Sequence, residues 1–432
     1  MNQGLNSVSI VDMRDRFRIR MLENRYPALH GLRVLMILIA LHMHVMLYVA
    51  VVAPLDQYAY GKEWIRIALN AGWQTMDFFF VLSGFLIGRL LLEMQSAEGF
   101  RLKSTLAFYV KRGFRIFPLY YVTLFLLWGV VQFWPIFSVN GVTQINWIPE
   151  LFYLSNYTRD QPVLAPWSWS LSLEEHLYIA APFAVASTLS IPSMRGRFVF
   201  LFVSASIPLI LRYLVVDQSV GAHGTMENAA PPLNIFKDLF IPTHLRFDTF
   251  LYGLAGAILV YCYPDHFKML LHGKHQRWLR VFLWTVVIVL YLYFILPFFH
   301  EVPFMYLSYG GMSDTPTLLS VAMKSVWDFG FLSSMLYLIL IVLLVTDQGA
   351  LGSFLGSTWM RKTATLSYGV YLVHLPIAKF VSHTLSKYLG EGPIGIALVS
   401  LGLTAFLSYG LSYILHLIVE KPLLSVRDRI FT

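Results

Sequence analysis

Residues 33–44 read RVLMILIALHMH and open the first long apolar run of the chain. Arg33 and His44 fall on one stripe of a helix, because eleven residues at about 100° each make three turns and about 20° more. They are separated by about 16 Å along the helix axis, which is about half of a ~30 Å hydrocarbon slab. If Arg33 lies at a membrane interface, His44 lies near the midplane, where an ionisable group is costly and indicates a function.

The composition is that of a membrane protein. Of the 432 residues, 57% are hydrophobic and only 13% are charged, whereas soluble domains carry about 25% charged residues. We therefore predict an all-α integral membrane fold with about ten transmembrane helices, since ten segments are long and apolar enough to span a bilayer. These segments are 33–53, 72–92, 115–134, 170–190, 198–216, 246–263, 279–298, 328–346, 365–384 and 394–418.

The distribution of basic residues predicts the orientation. With ten spans both termini lie on one side, and most of the 32 lysines and arginines fall there, so the positive-inside rule places both termini in the cytoplasm. This topology explains the net charge of +8, and we expect no nucleic-acid partner. We expect a basic cytoplasmic tail over 1–24, one transmembrane domain over 25–422 and a short cytoplasmic tail over 423–432, with no second soluble domain.

The histidine pair in the first span does not predict a metal site. His42 and His44 are two positions apart, so on a helix they point about 200° from each other and cannot share one ion. The single cysteine, Cys262, excludes an internal disulfide and a cysteine-rich metal site. We predict no bound metal. His42 is typical of a packed or hydrogen-bonded histidine, and the residues alone leave a structural and a functional role open for His44.

Basic residues gather where the second and third spans meet the predicted cytoplasmic face. They are Arg89, Lys111, Arg112 and Arg115. Interfacial anchoring is the usual role of such residues. A phosphate-binding cluster is the alternative, because arginine forks fit phosphate oxygens.

Other polar residues lie inside or at the outer ends of predicted spans. Ser83 precedes Gly84, a pair that also permits close helix approach. Glu174 and Glu175 enter the bilayer together, so at least one should face a polar cavity. The remaining residues are Asp77, Arg246 and Asp248 at outer ends, and Ser367, Tyr371 and His374 on one helix face.

Seven segments resemble, in this order, the landmarks of the acyltransferase 3 family. They are RYPALHGLRVLMILIALHMH, MDFFFVLSGFLI, KRGFRIFPLYY, WSLSLEEHLY, RFDTFLYGLAGA, LSYGVYLVHLP and VEKP, and together they cover roughly residues 25–422. The family's Arg-x10-His pattern falls on Arg33 and His44, and its WSLSxE carboxylate falls on Glu174. His30 stands where the family commonly has an aspartate, so the role of that aspartate is open in this chain.

The resemblance implies a multi-pass O-acyltransferase of a bacterial inner membrane. It implies transfer of an acyl group, in particular acetyl, from cytoplasmic acyl-CoA to a hydroxyl of a saccharide or similar acceptor at the outer side. No permanently bound cofactor is expected, and the sequence leaves open whether transfer is direct or passes through an acyl-histidine. A transporter or exporter of a saccharide or lipid-linked precursor is the alternative, although we find no inverted repeat.

Residues and resemblance together predict three groups of functional side chains. His44 acts as general base, Glu174 orients its imidazole or stabilises the charged ring, and Arg33 completes the catalytic set. The residues expected to hold the CoA phosphates beside Arg33 are Arg89, Lys111, Arg112 and Arg115. The residues expected to bind the acceptor are Asp77, Ser83, Arg246, Asp248, Tyr371 and His374.

Overall fold

The structure, a computed structural model, describes residues 25–52, 67, 72, 74–137, 146–158, 163–221, 235–271, 277–295, 326–346, 349–388 and 393–431. The predicted N-terminal tail, 1–24, lies outside these residues. In the described part every regular element is a helix and no strand occurs. The all-α prediction is therefore confirmed.

Fourteen helices carry labels below. They are α1 Ala28–Val52, α2 Thr75–Glu98, α3 Leu102–Phe133, α4 Trp169–Leu189, α5 Met194–Gly221, α6 Asp248–Cys262, α7 Pro264–Leu271, α8 Arg277–Ile295, α9 Ser333–Val345, α10 Ala350–Leu355, α11 Thr358–Thr365, α12 Ser367–Tyr388, α13 Pro393–Leu415 and α14 Lys421–Ile430. Short helical turns are Pro135–Phe137, Ile148–Leu151, Ser155–Tyr157, Pro166–Ser168 and Thr243–Leu245, and π-helical segments are Ile235–Phe240, Asp328–Leu332 and His416–Glu420.

Six helices among the described residues are long and apolar enough to cross a membrane. They are Ala28–Ala50, Thr75–Glu98, Leu102–Phe133, Met194–Gln218, Arg277–Ile295 and Gly395–Ile430. The bent pair α11 and α12, which meet at 60°, makes a seventh if it counts as one span. Helices also occur at the three other predicted positions, but α6 and α9 have only 15 and 13 residues and α4 carries two glutamates. The count of ten and the cytoplasmic termini stay predictions.

The helices α2 and α6 cross at a pair of glycines. A Cβ atom on Gly253 would lie 2.7 Å from the backbone nitrogen of Phe85, and one on Gly84 would lie 2.9 Å from the backbone carbon of Phe250. Small residues at such a crossing let two backbones approach closely, as membrane helices commonly do. The interpretation of Ser83–Gly84 as a close-approach pair is therefore consistent with the structure, and Ser83 is held beside the crossing.

The first helix lies in the interior of the bundle. It begins directly after Pro27, whose fixed φ suits a helix N-terminus. Its apolar residues Ile37, Leu41 and Val45 are at most 1% exposed, and the helix packs against α2, α12 and α13. This packing brings the His44 turn against a helix more than 300 residues further along the chain.

Candidate active site

The stripe predicted on α1 is present, and its two ends have different surroundings. Arg33 and Ile37 line a partly open cavity of about 250 Å³. His44 is not among the residues that line this cavity. Its Nδ1 lies 3.1 Å from Nε2 of His374 on α12, and the ring centroids are 4.9 Å apart.

His374 is held rigidly from its own helix. The residue is 0% exposed, and its Nδ1 lies 2.7 Å from the backbone carbonyl of Tyr371. The Tyr371 hydroxyl in turn donates to the carbonyl of Trp167 over 2.8 Å and lies 2.5 Å from the Ser170 hydroxyl. Since Tyr371 and Ser170 both line the cavity, Tyr371 connects the cavity to the two histidines.

The cavity is elongated and mostly apolar. The side chains that α2 contributes are Met76, Phe79, Phe80, Leu82, Ser83, Leu86, Ile87 and Leu90. From Met76 to Leu90 the wall runs fourteen residues, or about 21 Å at 1.5 Å per residue. The polar lining includes His30, Arg33, Arg112, Arg115 and Glu420. Arg112 stacks on Tyr178, whose hydroxyl lies 3.2 Å from Ser83 in the middle of this wall. Cationic side chains and Tyr371 thus line one mostly apolar cavity.

The hydrogen bonds of Glu174 go to residues other than His44, and its predicted orienting role stays an untested prediction. Its Oε1 accepts a 2.6 Å hydrogen bond from Ser83 on α2 and a second one from the Tyr178 hydroxyl. The Arg112 guanidinium lies 4.2 Å from the centroid of the Tyr178 ring and interacts electrostatically with Glu174. The α4 helix directs the Glu174 carboxylate toward α2 and α3, whereas the residue that contacts His44 lies on α12.

Two members of the predicted phosphate cluster lie elsewhere. Arg89 forms a 2.7 Å ion pair with Glu93 one turn later on the same helix and stacks 4.0 Å from the Tyr261 ring centroid. The Lys111 ammonium lies 5.1 Å from the ring centroid of Phe431. Neither residue lines the cavity, whereas Arg33, Arg112 and Arg115 do. Phosphate binding by Arg89 and Lys111 stays an untested prediction.

The predicted acceptor residues at the outer ends of spans form a buried ionic network instead. Asp77 pairs with Arg246 and accepts a hydrogen bond from Ser333, while Asp248 pairs with Arg212 over 3.0 Å. The four charged side chains are at most 1% exposed, and none lines the cavity. Charges buried this deeply must be paired, which accounts for their arrangement. Acceptor binding by these three residues stays an untested prediction that this placement does not support.

Four polar residues of the cavity and the ionic network are not singled out by the sequence analysis, namely Tyr178, Ser170, Arg212 and Ser333. Tyr178 could have been found from its position one turn after Glu174, where helical side chains meet. Arg212 stands alone in the apolar stretch LRYLVV, and a lone arginine inside a span signals a buried carboxylate partner. No comparable local signal marks Ser170 or Ser333.

Comparison with known proteins adds to this geometry. A provisionally named O-acetyltransferase of Staphylococcus aureus (strain COL) is 25% identical over 370 residues, which are 82% of this chain and 53% of the relative. The O-acetyltransferase OatA of Staphylococcus aureus (strain NCTC 8325) is 24% identical over 373 residues, which are 81% of this chain and 52% of the relative. The chain thus spans about half the length of the relatives it matches. No solved structure gives a significant match.

The family match covers both histidines and every residue that lines the cavity except Glu420. A family model, Acyl_transf_3, described as an acyltransferase domain, matches residues 26–413. That range includes all the predicted site residues and most of the chain. The chain therefore belongs to the acyltransferase 3 family.

Proposed function

We propose that the protein is a membrane O-acyltransferase that moves an acyl group, in particular acetyl, from acyl-CoA at the cytoplasmic side to a hydroxyl of a saccharide or similar acceptor at the outer side. One observation carries this proposal, namely that Arg33, Arg112 and Arg115 line the same cavity as Tyr371. The relatives named O-acetyltransferases support acetyl as the group transferred.

The cationic side chains of the cavity suit the donor. Guanidinium groups bind phosphate oxygens with two parallel hydrogen bonds, and three arginines from α1 and α3 face one space. The apolar wall on α2 then suits the extended arm that carries the thioester. We expect the thioester to approach Tyr371, with the nucleotide phosphates at the arginines.

His44 is the general base in this proposal. The acceptor oxygen attacks the thioester carbonyl carbon while His44 takes the hydroxyl proton, a role that suits a histidine at neutral pH. The new ester bond forms as the carbon–sulfur bond breaks, and the departing CoA thiolate receives the proton from His44. The substrates reach His44 past Tyr371, whose backbone carbonyl contacts His374.

Glu174 takes a different role from the one predicted. It holds Ser83 and Tyr178 by hydrogen bonds and lies in the field of Arg112. We propose that it balances the arginine charge and fixes the wall of the cavity, while Ser83 and Tyr371 remain candidates for contact with the substrates. Replacement of Glu174 should therefore weaken donor binding more than it slows the proton transfer.

The test compares two histidines on one helix. Inside-out membrane vesicles from the source cells receive [14C]acetyl-CoA, and alkali-labile label on glycan and lipid is counted. His44→Ala should lower incorporation by about 10²–10⁴-fold, as expected for loss of a general base, whereas the half-buried neighbour His42→Ala should stay within about twofold of the wild type. Equal rates for His44→Ala and wild type, at equal protein levels, would overturn the assignment.

The direction of transfer is tested separately. Right-side-out vesicles should incorporate label only after permeabilisation, because acetyl-CoA would otherwise not reach Arg33, Arg112 and Arg115. Equal labelling of intact vesicles of both orientations would contradict the cytoplasmic donor site. Movement of a labelled saccharide without transfer of acetyl would favour the transporter instead.

A further inference from the structure

The two contacting histidines come from helices far apart in sequence, and their contact has a defined polarity. In the part of the chain that the structure describes, His44 meets His374 through Nδ1 and Nε2, and His374 meets the Tyr371 carbonyl through Nδ1. A carbonyl oxygen only accepts hydrogen bonds, so Nδ1 of His374 must carry a proton and donate it.

The proton on His374 determines the proton on His44. In a neutral imidazole one nitrogen donates and the other accepts, so Nε2 of a neutral His374 is an acceptor. Nδ1 of His44 then donates to it, which places the proton of a neutral His44 on Nδ1. The tautomer of His44 thus follows from its contact with His374.

We propose that His374 is a positioning residue that holds His44 in the Nδ1–H tautomer and leaves His44 Nε2 unprotonated toward the acceptor hydroxyl. This inference rests on the proposed function of His44 as general base. It gives His374 a role different from the acceptor binding expected from the sequence. The Tyr371 carbonyl and His374 together do for His44 what a carboxylate does for the histidine of a serine hydrolase triad, where the orienting group fixes tautomer and ring orientation.

The location of His374 suits this role. The ring is 0% exposed, so water does not compete for its nitrogens, and the Tyr371 carbonyl belongs to the same helix. A histidine that only packed would tolerate an aromatic ring of similar size.

Two substitutions separate positioning from packing. His374→Phe keeps ring volume and removes the acceptor, whereas His374→Gln keeps an acceptor oxygen within reach of His44 Nδ1. We expect His374→Phe to lower kcat by about 10²–10³-fold, within the range of general-base effects, with KM for acetyl-CoA changed by less than about threefold. His374→Gln should keep kcat within about tenfold of the wild type. His383→Phe, on the same helix and partly exposed, is the control for a ring substitution and should leave kcat unchanged.

The tautomer itself is read by solid-state ¹⁵N NMR of histidine-labelled protein in liposomes, where protonated and unprotonated ring nitrogens give separate signals. His44 is assigned from the signals lost in His44→Gln. The wild type should show a protonated Nδ1 and an unprotonated Nε2, and His374→Phe should lose this preference. A wild-type His44 protonated on Nε2 would overturn the inference, as would full kcat in a folded His374→Phe.

The design keeps the two proposals distinguishable. If the wild type transferred no acetyl, the proposed function would fail, while the NMR signals would still report whether His374 sets the tautomer. If His374→Phe did not fold, the wild-type tautomer and the kcat of His374→Gln would decide. A His374→Gln protein that kept the tautomer but lost kcat as fully as His374→Phe would refute positioning.

Discussion

Removal of one charge from the buried network should destabilise the protein far more than removal of an exposed one. Asp77→Asn keeps the volume of the side chain and an acceptor for Ser333, so it isolates the loss of charge beside Arg246. Breaking a buried pair by neutralising one partner costs about 3–5 kcal/mol, because the other charge stays buried. The negative charge of Asp248 also stabilises the Arg246 guanidinium. We therefore expect a loss at the lower end of this range, about 3 kcal/mol, which shifts the unfolding equilibrium by about a hundredfold.

The matched variants test burial and pairing in turn. Arg25→Met removes an ion pair with Glu93 in which the arginine side chain is 57% exposed, and this should cost less than about 1 kcal/mol. The double variant Asp77→Asn/Arg246→Met leaves no charge at the site and should recover most of the loss, since a neutral replacement of a buried pair is often tolerated.

The assay is reversible unfolding of the purified protein in mixed detergent micelles, with acetyl transfer measured on the folded fraction. The reasoning is refuted if Asp77→Asn costs no more than Arg25→Met, or if the double variant is as unstable as Asp77→Asn. A raised KM for the acceptor with unchanged stability would restore the role in acceptor binding that the sequence predicted.

Three further predictions concern the cavity, a buried carboxyl and the glycine crossing. Arg115→Ala should raise KM for acetyl-CoA by about tenfold, the effect of about 1.4 kcal/mol of lost phosphate binding. Arg101→Ala, at the exposed residue that directly precedes α3, should leave this KM unchanged, and equal KM values for the two variants would contradict the donor site. Burial raises the pKa of Glu150, which lies between α3 and α4, to about 7, while the N–H groups of Leu164 and Ala165 act in the opposite direction. The folded protein then holds this proton more tightly than the unfolded chain does. The contribution of Glu150 to the unfolding free energy is therefore complete below about pH 4.5, and it is lost by up to about 1.4 kcal/mol per pH unit as the pH rises toward 7. Glu150→Gln should flatten this dependence of the unfolding free energy on pH, and an unchanged slope would show that another group causes it. Gly253→Ala should destabilise the folded protein by about 1–3 kcal/mol, because the added Cβ meets the backbone of α2. Gly402→Ala has no atom within 4 Å of the added Cβ and should be neutral or slightly stabilising in the same unfolding assay. Similar effects of the two variants would refute the close crossing.

The sequence predicted the helical fold and much of the cavity, because both depend on local patterns. Apolar runs specify helices, and helical periodicity alone predicts that Arg33 and Ile37 lie on the same side of α1. Arg112, Arg115 and Glu174 could also be singled out, since charges beside or within apolar segments are rare.

Partner choice between distant helices could not be predicted in the same way. The resemblance assigns Glu174 to His44, yet the rotation of α4 directs the carboxylate to Ser83. The partner of His44 is instead His374, 330 positions away. Likewise Asp77 and Arg246 are assigned to acceptor binding from the sequence, and nothing local in the sequence shows that they pair with each other. These outcomes depend on helix packing, which a single sequence does not encode position by position.

The contact between α1 and α12 has a consequence for how the protein is made. Arg33 and His44 enter the membrane with the first helix, while Tyr371, His374 and Glu420 are synthesised more than 300 residues later. At ribosomal rates of about 5–20 residues per second, α1 waits on the order of tens of seconds for these partners. During that time its ionisable groups depend on lipid headgroups, water or an insertion chaperone for solvation. The cavity is therefore completed only when the last helices insert, so a chain halted earlier has no assembled site with which to consume acyl-CoA.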